Sequence, residues 1–284
     1  NDMCNKKIIW VVVLVMASLS SWASANIKGN GSVVTREIKV SDYSSIRLGG
    51  NVSFSLGESI KKLFSGEKNS GSTPVFIYSQ TDAPAALKVT LDENLIEYLE
   101  IKVENRQLIV QTKKNIQVNP TRFELRGHSP SLQEVKVGGS YDFRIEGRLD
   151  SDKLLLSVSG SGSVRASENI KTSVFSAKVS GSGNLYLKNI STNQLETKIS
   201  GSGNANLGGI ANVGDFAVSG SGNINAFECR VGDLSCAVSG SGDMKVLASN
   251  KLKASVSGSG DIQYKGAPDV DFHTSGSGSI RKAN

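Results

Sequence analysis

Few side chains in this sequence could do chemistry, and those that could are scattered. His128 and His273 are isolated, and no Ser/His/Asp order can be argued around either of them. Cys229 and Cys236 lie seven residues apart. A disulfide between them suits an exported chain, and two small inward-facing thiols suit a packed core. The spacing alone leaves both open. Gly-Ser-Gly-Asp occurs at 240–243 and 258–261, which makes Asp243 and Asp261 the metal candidates. Calcium-binding rolls repeat every nine residues with an Asp in each turn. Here the period is about twice that and only two copies carry Asp, so a solvated ladder of carboxylates is the better reading. The Gly-x-Gly strings are not phosphate loops, because no helix follows them. No cofactor and no catalytic residue is expected.

The elements that hold these residues are announced by composition. Gly makes up 30 of the 284 residues and Pro only 5. With 38% apolar residues the chain can bury a core, and no Gly-X-Y period makes it collagen-like. The net charge of +6 is spread along the chain, which does not form a nucleic-acid footprint. At the N-terminus Lys6 and Lys7 precede the apolar run Ile8–Ala17 and the small residues Ala23-Ser24-Ala25. This is the pattern of a secretory signal peptide over residues 1–25, with cleavage expected after Ala25. The apolar run is too short to span a bilayer, and no second long run follows it.

The dominant signal is a repeat. Ser-Gly-Ser-Gly starts at Ser159, Ser180, Ser200, Ser219, Ser239, Ser257 and Ser275, with spacings of 21, 20, 19, 20, 18 and 18. A degenerate copy lies at Val137-Gly138-Gly139-Ser140. Self-similarity at this period indicates a solenoid, whose units bury their apolar faces by stacking on one another. Before each corner apolar residues alternate with polar ones, as in Leu154/Leu156/Val158, Phe175/Ala177/Val179 and Leu252/Ala254/Val256. After it come pairs such as Val164/Ala166, Leu185/Leu187 and Met244/Val246. Period 2 on both sides means strands with one face inward. A third inward position is expected at Ile190, Ile210 and Cys229. The predicted fold is all-β: a right-handed parallel β-helix with 18–21 residues per coil, regular over 137–284 and less regular over 26–136.

The corner glycines are Gly160/Gly162, Gly181/Gly183, Gly201/Gly203, Gly220/Gly222, Gly240/Gly242 and Gly258/Gly260. A sharp corner needs a residue that accepts φ > 0, and coils stacked every ~4.8 Å leave room only for small residues. The position after the corner holds Ser163, Asn184, Asn204, Asn223, Asp243, Asp261 and Ser279, which reads as a polar ladder.

Upstream, Val33–Val40, Pro74–Tyr78 and Leu108–Thr112 are strand-like, Ile46–Phe54 resembles a worn corner, Ser65–Ser72 reads as an exposed loop, and Asp92–Leu99 as a short helical or turn segment. Three stretches stand in order: Val34-Thr35-Arg36-Glu37, Val40-Ser41-Asp42-Tyr43-Ser44-Ser45-Ile46 and Asp92-Glu93-Asn94-Leu95-Ile96-Glu97-Tyr98. Followed by serial Val-Ser-Gly-Ser-Gly-Asn/Asp-Ile copies, they make residues 31–265 resemble the head GIN domain family of auto-transporter adhesins. The resemblance implies a right-handed β-helix, bacterial export and an adhesive role, and it brings no catalytic residues. No run of membrane-barrel strands is visible, so the expected location is the periplasm or the outer surface of a Gram-negative cell. The expected partners are glycans, envelope polymers or a host surface, or a second copy of the chain. The alternative functions are a carbohydrate-active β-helix enzyme and a self-associating structural protein of the envelope.

Overall fold

The computed structural model describes residues 24–54 and 73–283. All of the expected signal peptide except Ser24 and Ala25 lies outside the described residues, as does the loop read at Ser65–Ser72. The first ten strands are β1 Ala25–Lys28, β2 Val33–Ile38, β3 Ser45–Leu48, β4 Asn51–Val52, β5 Val75–Gln80, β6 Ala86–Asp92, β7 Leu99–Glu104, β8 Gln107–Thr112, β9 Ile116–Asn119 and β10 Phe123–Ser129. A 3-10 helix, Glu93–Tyr98, separates β6 from β7. The repeat region holds β11 Glu134–Gly139, β12 Asp142–Glu146, β13 Leu149–Gly160, β14 Ser163–Gly181, β15 Asn184–Gly201, β16 Asn204–Gly220, β17 Asn223–Gly240, β18 Met244–Gly258, β19 Ile262–Lys265, β20 Asp269–Gly276 and β21 Ile280–Lys282.

The chain is a β-solenoid of about seven turns. From β11 onward neighbouring coils pair in parallel, one repeat apart. Leu156, Ala177, Thr197, Phe216, Cys236 and Ala254 form one column. Val158, Val179, Ile199, Val218, Val238 and Val256 form the next inward column, and every member is buried. In β15 the alternation breaks at Lys188–Asn189 and again at Asn193–Gln194, where two neighbouring residues both face solvent. Each break is a bend, so this coil has three walls. The unequal coil lengths are absorbed by register shifts at the first bend, between Ala166 and Asn169, Leu187 and Ile190, Asn206 and Gly208, and Ala226 and Arg230, and in β17 by a further shift at the second bend, between Val231 and Asp233.

One of these shifts corrects an expectation. Ile190 and Cys229 are buried as expected, but Ile210 is 58% exposed. Its coil is a residue short, so Gly209 takes the place between Ile190 and Cys229 and Ile210 moves to the outward column beside Ser191 and Arg230. Gly209 has φ +126, and a Cβ there would stand 2.0 Å from the Ile190 carbonyl oxygen. That position tolerates only glycine.

The N-terminal part departs from simple parallel stacking. β2, β6 and β10 pair antiparallel, and so do β7 and β8. The β7–β8 hairpin closes through Asn105 (φ 50) and Arg106 (φ 60), two adjacent left-handed residues, as a tight two-residue hairpin turn requires. β3 and β5 then join this part to the coils by parallel pairing with β11 and β12. Gly49-Gly50 thereby lies beside Gly138-Gly139 as a degenerate first corner. The interior here is aromatic: Phe76 stacks on Phe143 at 5.3 Å, and Phe123 meets Tyr141 edge-on at 5.9 Å. The carboxylate of Asp92, fully buried, accepts hydrogen bonds from the Gly31 N–H (2.8 Å), the Thr121 N–H (2.7 Å) and the Thr121 hydroxyl (2.8 Å). It ties the segment after β1 to this end of the core.

Candidate functional site: the glycine corners and the groove beside them

The two glycines of each corner answer different demands. The first has φ between +112 and +133 in all seven copies, from Gly160 to Gly276. From Gly181 to Gly258 its carbonyl accepts two hydrogen bonds from the next coil: Gly181 O takes Ser202 N–H at 2.9 Å and Gly203 N–H at 3.0 Å. The second glycine needs space. A Cβ on Gly222 would meet the Gly203 carbonyl oxygen at 2.2 Å and a methyl of Ile199 at 2.7 Å. Gly162, Gly183, Gly203, Gly242 and Gly260 are crowded in the same way by the corner below and an inward Val.

The position after the corner forms one column, Asp142, Ser163, Asn184, Asn204, Asn223, Asp243, Asp261, Ser279. Asn204 Nδ2 donates to Asn184 Oδ1 at 3.1 Å, and Asn223 Nδ2 to Asn204 Oδ1 at 3.0 Å. Asn223 Oδ1 then accepts the Asp243 backbone N–H, Asp243 Oδ1 the Asp261 N–H, and Asp261 Oδ1 the Ser279 N–H, each at 2.9 Å. The two stacked carboxylates are thus each held by the coil above. The Ser279 hydroxyl, at 2.7 Å, and its N–H keep Asp261 below the usual carboxylate range. Among the described residues no group of three or more His, Cys, Asp or Glu could hold a metal ion.

The candidate disulfide is not formed: Cys229 and Cys236 are buried free thiols. They face the interior from two different columns, Cys229 beside Gly209 and Cys236 between Phe216 and Ala254, so each packs as a small apolar side chain. Burial pushes the Cys229 thiol up to about 12 and raises Cys236 as well.

Beside the polar column, with one inward residue between, runs an outward column: Arg144, Arg165, Tyr186, Asn206, Asn225. The shifted first bends flank it, and the result is a groove of mixed lining, to which Ile145, Ala166, Leu187 and Leu207 bring apolar surface. One part, of about 520 Å³, is lined by Asp142, Arg144, Glu146, Arg165, Tyr186 and Lys188, among others. The next, of about 420 Å³, continues past Tyr186 and Lys188 to Asn206, Gly208, Asn225 and Glu228. Asp142 is nearly buried. It accepts Arg144 Nε and Nη2 on Oδ2 (2.9 and 2.8 Å), and Arg165 Nε (3.2 Å) and the Ser163 hydroxyl on Oδ1. The Arg165 guanidinium lies 4.1 Å from the Tyr186 ring centroid. The sequence alone does not announce this column. Arg144, Arg165 and Tyr186 stand about a repeat apart and are joined only by register.

The wall before the corner carries an ion network. Glu196 binds Lys198 at 2.6 Å and Lys178 at 3.3 Å, and Lys198 reaches Asp215 at 3.4 Å. Lys198, then the Ser176 hydroxyl and Lys178, lower Glu196 to about 2.

Fold and site together define a class: a nearly all-β solenoid with glycine corners and a continuous polar edge. The family model described as "Putative auto-transporter adhesin, head GIN domain" matches residues 70–169 and 155–268. The chain belongs to this family. A Parabacteroides distasonis structure described as a "putative lipid binding protein" is 32% identical, with TM-score 0.81 over 91% of this chain and 100% of that one. A "putative adhesin" from Parabacteroides merdae is 28% identical, with TM-score 0.80 over 92% and 100%. A second "putative adhesin" from P. distasonis is 30% identical, with TM-score 0.80 over 91% and 100%. No curated protein matches the chain.

Proposed function

We propose that this protein is an exported, non-enzymatic adhesin of the bacterial envelope that binds glycans or envelope polymers on its repeated polar faces. The observation that carries the reading is the polar column from Asp142 to Ser279, one residue per coil along the regular part of the solenoid. Such a stack offers many equivalent weak contacts at a spacing of ~4.8 Å, which suits a polymer better than a small molecule. Family membership and the adhesin descriptions of two relatives support it. Export rests on Lys6, Lys7, the Ile8–Ala17 run and the small residues before Asn26. Among the described residues no helix is long and apolar enough to cross a membrane. The non-enzymatic reading rests on a regular repeat that carries no chemical constellation in the sequence, and it is supported in the groove by Asp142, whose oxygens already accept from two arginines and a serine.

Pull-down of cell-envelope polysaccharide fractions with the mature chain tests binding, and retention of at least one fraction is expected. Release of reducing or unsaturated ends from any of them would replace the adhesin with an enzyme. Protease shaving of intact cells, with periplasmic fractionation, decides between the surface and the periplasm.

A further inference from the structure

We infer that the groove along Arg144, Arg165, Tyr186, Asn206 and Asn225 is a binding site for an extended glycan that carries carboxylates. The inference rests on the glycan reading above and assigns it a place and a ligand class.

Charge comes first. Three cations line the wider part of the groove, and two of them share a single carboxylate, Asp142. The other acid there, Glu146, lies 3.9 Å from Arg126. Lys188 is exposed and has no ion-pair partner among the described residues. Arg144 Nη1 and both terminal nitrogens of Arg165 carry no hydrogen bond to the described residues. This end therefore presents unused, charge-assisted donors, and a planar carboxylate is the group such donors hold best. Asp142 does more than neutralise. By gripping both arginines it fixes them in place, so a ligand need not order them.

The ring and the amides supply the rest. Tyr186 lines both parts of the groove, so it stands between them. Arg165 covers it on one side, and among the described residues no second ring or cation stacks on it. A half-buried ring held this way is a platform for the C–H face of a pyranose. Beyond it Asn206 and Asn225, joined by a 3.5 Å hydrogen bond from Asn225 Nδ2 to Asn206 Oδ1, keep the Asn206 amide donor and the Asn225 amide oxygen for hydroxyls, one residue per coil. The ~4.8 Å rise between them is close to the advance of one sugar in an extended chain, so a glycan laid along the solenoid meets a polar side chain at each unit.

Titration of the full mature chain with oligogalacturonate, oligoguluronate and a hyaluronate oligosaccharide, each beside its carboxyl-reduced form, tests the inference. At least one acidic oligomer is expected to bind, and its reduced form on the order of tenfold more weakly. Arg165→Gln and Tyr186→Ala should each lower affinity on the order of tenfold, with an unchanged circular dichroism spectrum. Lys188→Gln, exposed and outside any pairing, should weaken binding severalfold and blunt its salt dependence. Equal affinity for acid and reduced forms overturns the inference, as does wild-type affinity in the folded Arg165→Gln and Tyr186→Ala variants. If glycan binding is instead lost with Lys178→Gln or Lys198→Gln, on the wall before the corner, the groove falls and the glycan reading stands. If the chain retains no glycan of any kind, both fall.

Discussion

At the scale of single residues, this fold is governed by what a Cβ or a hydroxyl would meet. Gly31 has φ +81 but open space around it, with no atom within 4 Å of the place a methyl would take. Gly31→Ala should therefore cost about 1 kcal/mol through backbone strain alone. Gly222 has the opposite problem, a carbonyl oxygen 2.2 Å from where a Cβ would stand. Gly222→Ala must push two coils apart and should cost ~2 kcal/mol or more, which urea denaturation of the two variants would rank. Thr197 is fully buried in an apolar column, and its hydroxyl has no partner among the described residues. Thr197→Val removes that unpaired group at nearly constant volume and should raise stability by ~1 kcal/mol. The two thiols have packing roles only. Cys229 and Cys236 should resist alkylation in the native protein, react fully in denaturant, and leave the melting temperature indifferent to reductant. Rapid native alkylation, or a Tm that falls with dithiothreitol, would refute this.

At the scale of elements, neighbouring coils are joined by side chains as well as by backbone ladders. Glu196 sits among Lys178, Lys198 and Ser176 across two coils, and its pKa is lowered from 4.5 to about 2. A carboxylate whose folded pKa is depressed contributes stability above its unfolded pKa and loses it as pH falls. That contribution is complete above about pH 5 and should fade between about pH 4.5 and 2. The carboxylate is half-buried but its two lysines are about half exposed, so the site is worth less than about 1 kcal/mol and is screened by salt. Glu196→Gln should flatten that part of the stability–pH profile and make it insensitive to about 1 M NaCl, as paired thermal melts would show. The strands themselves were legible in the sequence wherever alternation was clean, as in Leu154/Leu156/Val158. They were harder to read where loop chemistry decides pairing: Leu108–Thr112 was legible as a strand, but not the Asn105-Arg106 turn that makes it antiparallel to β7.

At the scale of the whole molecule, each coil of the solenoid touches chiefly its two neighbours, so stability is nearly a sum of local terms. Gly222→Ala should therefore lower hydrogen-exchange protection in β16 and β17 first and leave β10 and β12, held on the aromatic core, close to wild type. A uniform loss over the chain would show a single cooperative unit instead. The sequence by itself determined the all-β class, the coil period and which residues of a clean strand point inward, because alternation and glycine corners are local properties of the backbone. The tertiary structure alone decided that Ile210 turns outward, that the thiols stay unpaired, and that Arg165 lies between Asp142 and Tyr186. Those outcomes depend on how coils of unequal length place their extra residues at the bend. Only stacking brings side chains about twenty positions apart into contact.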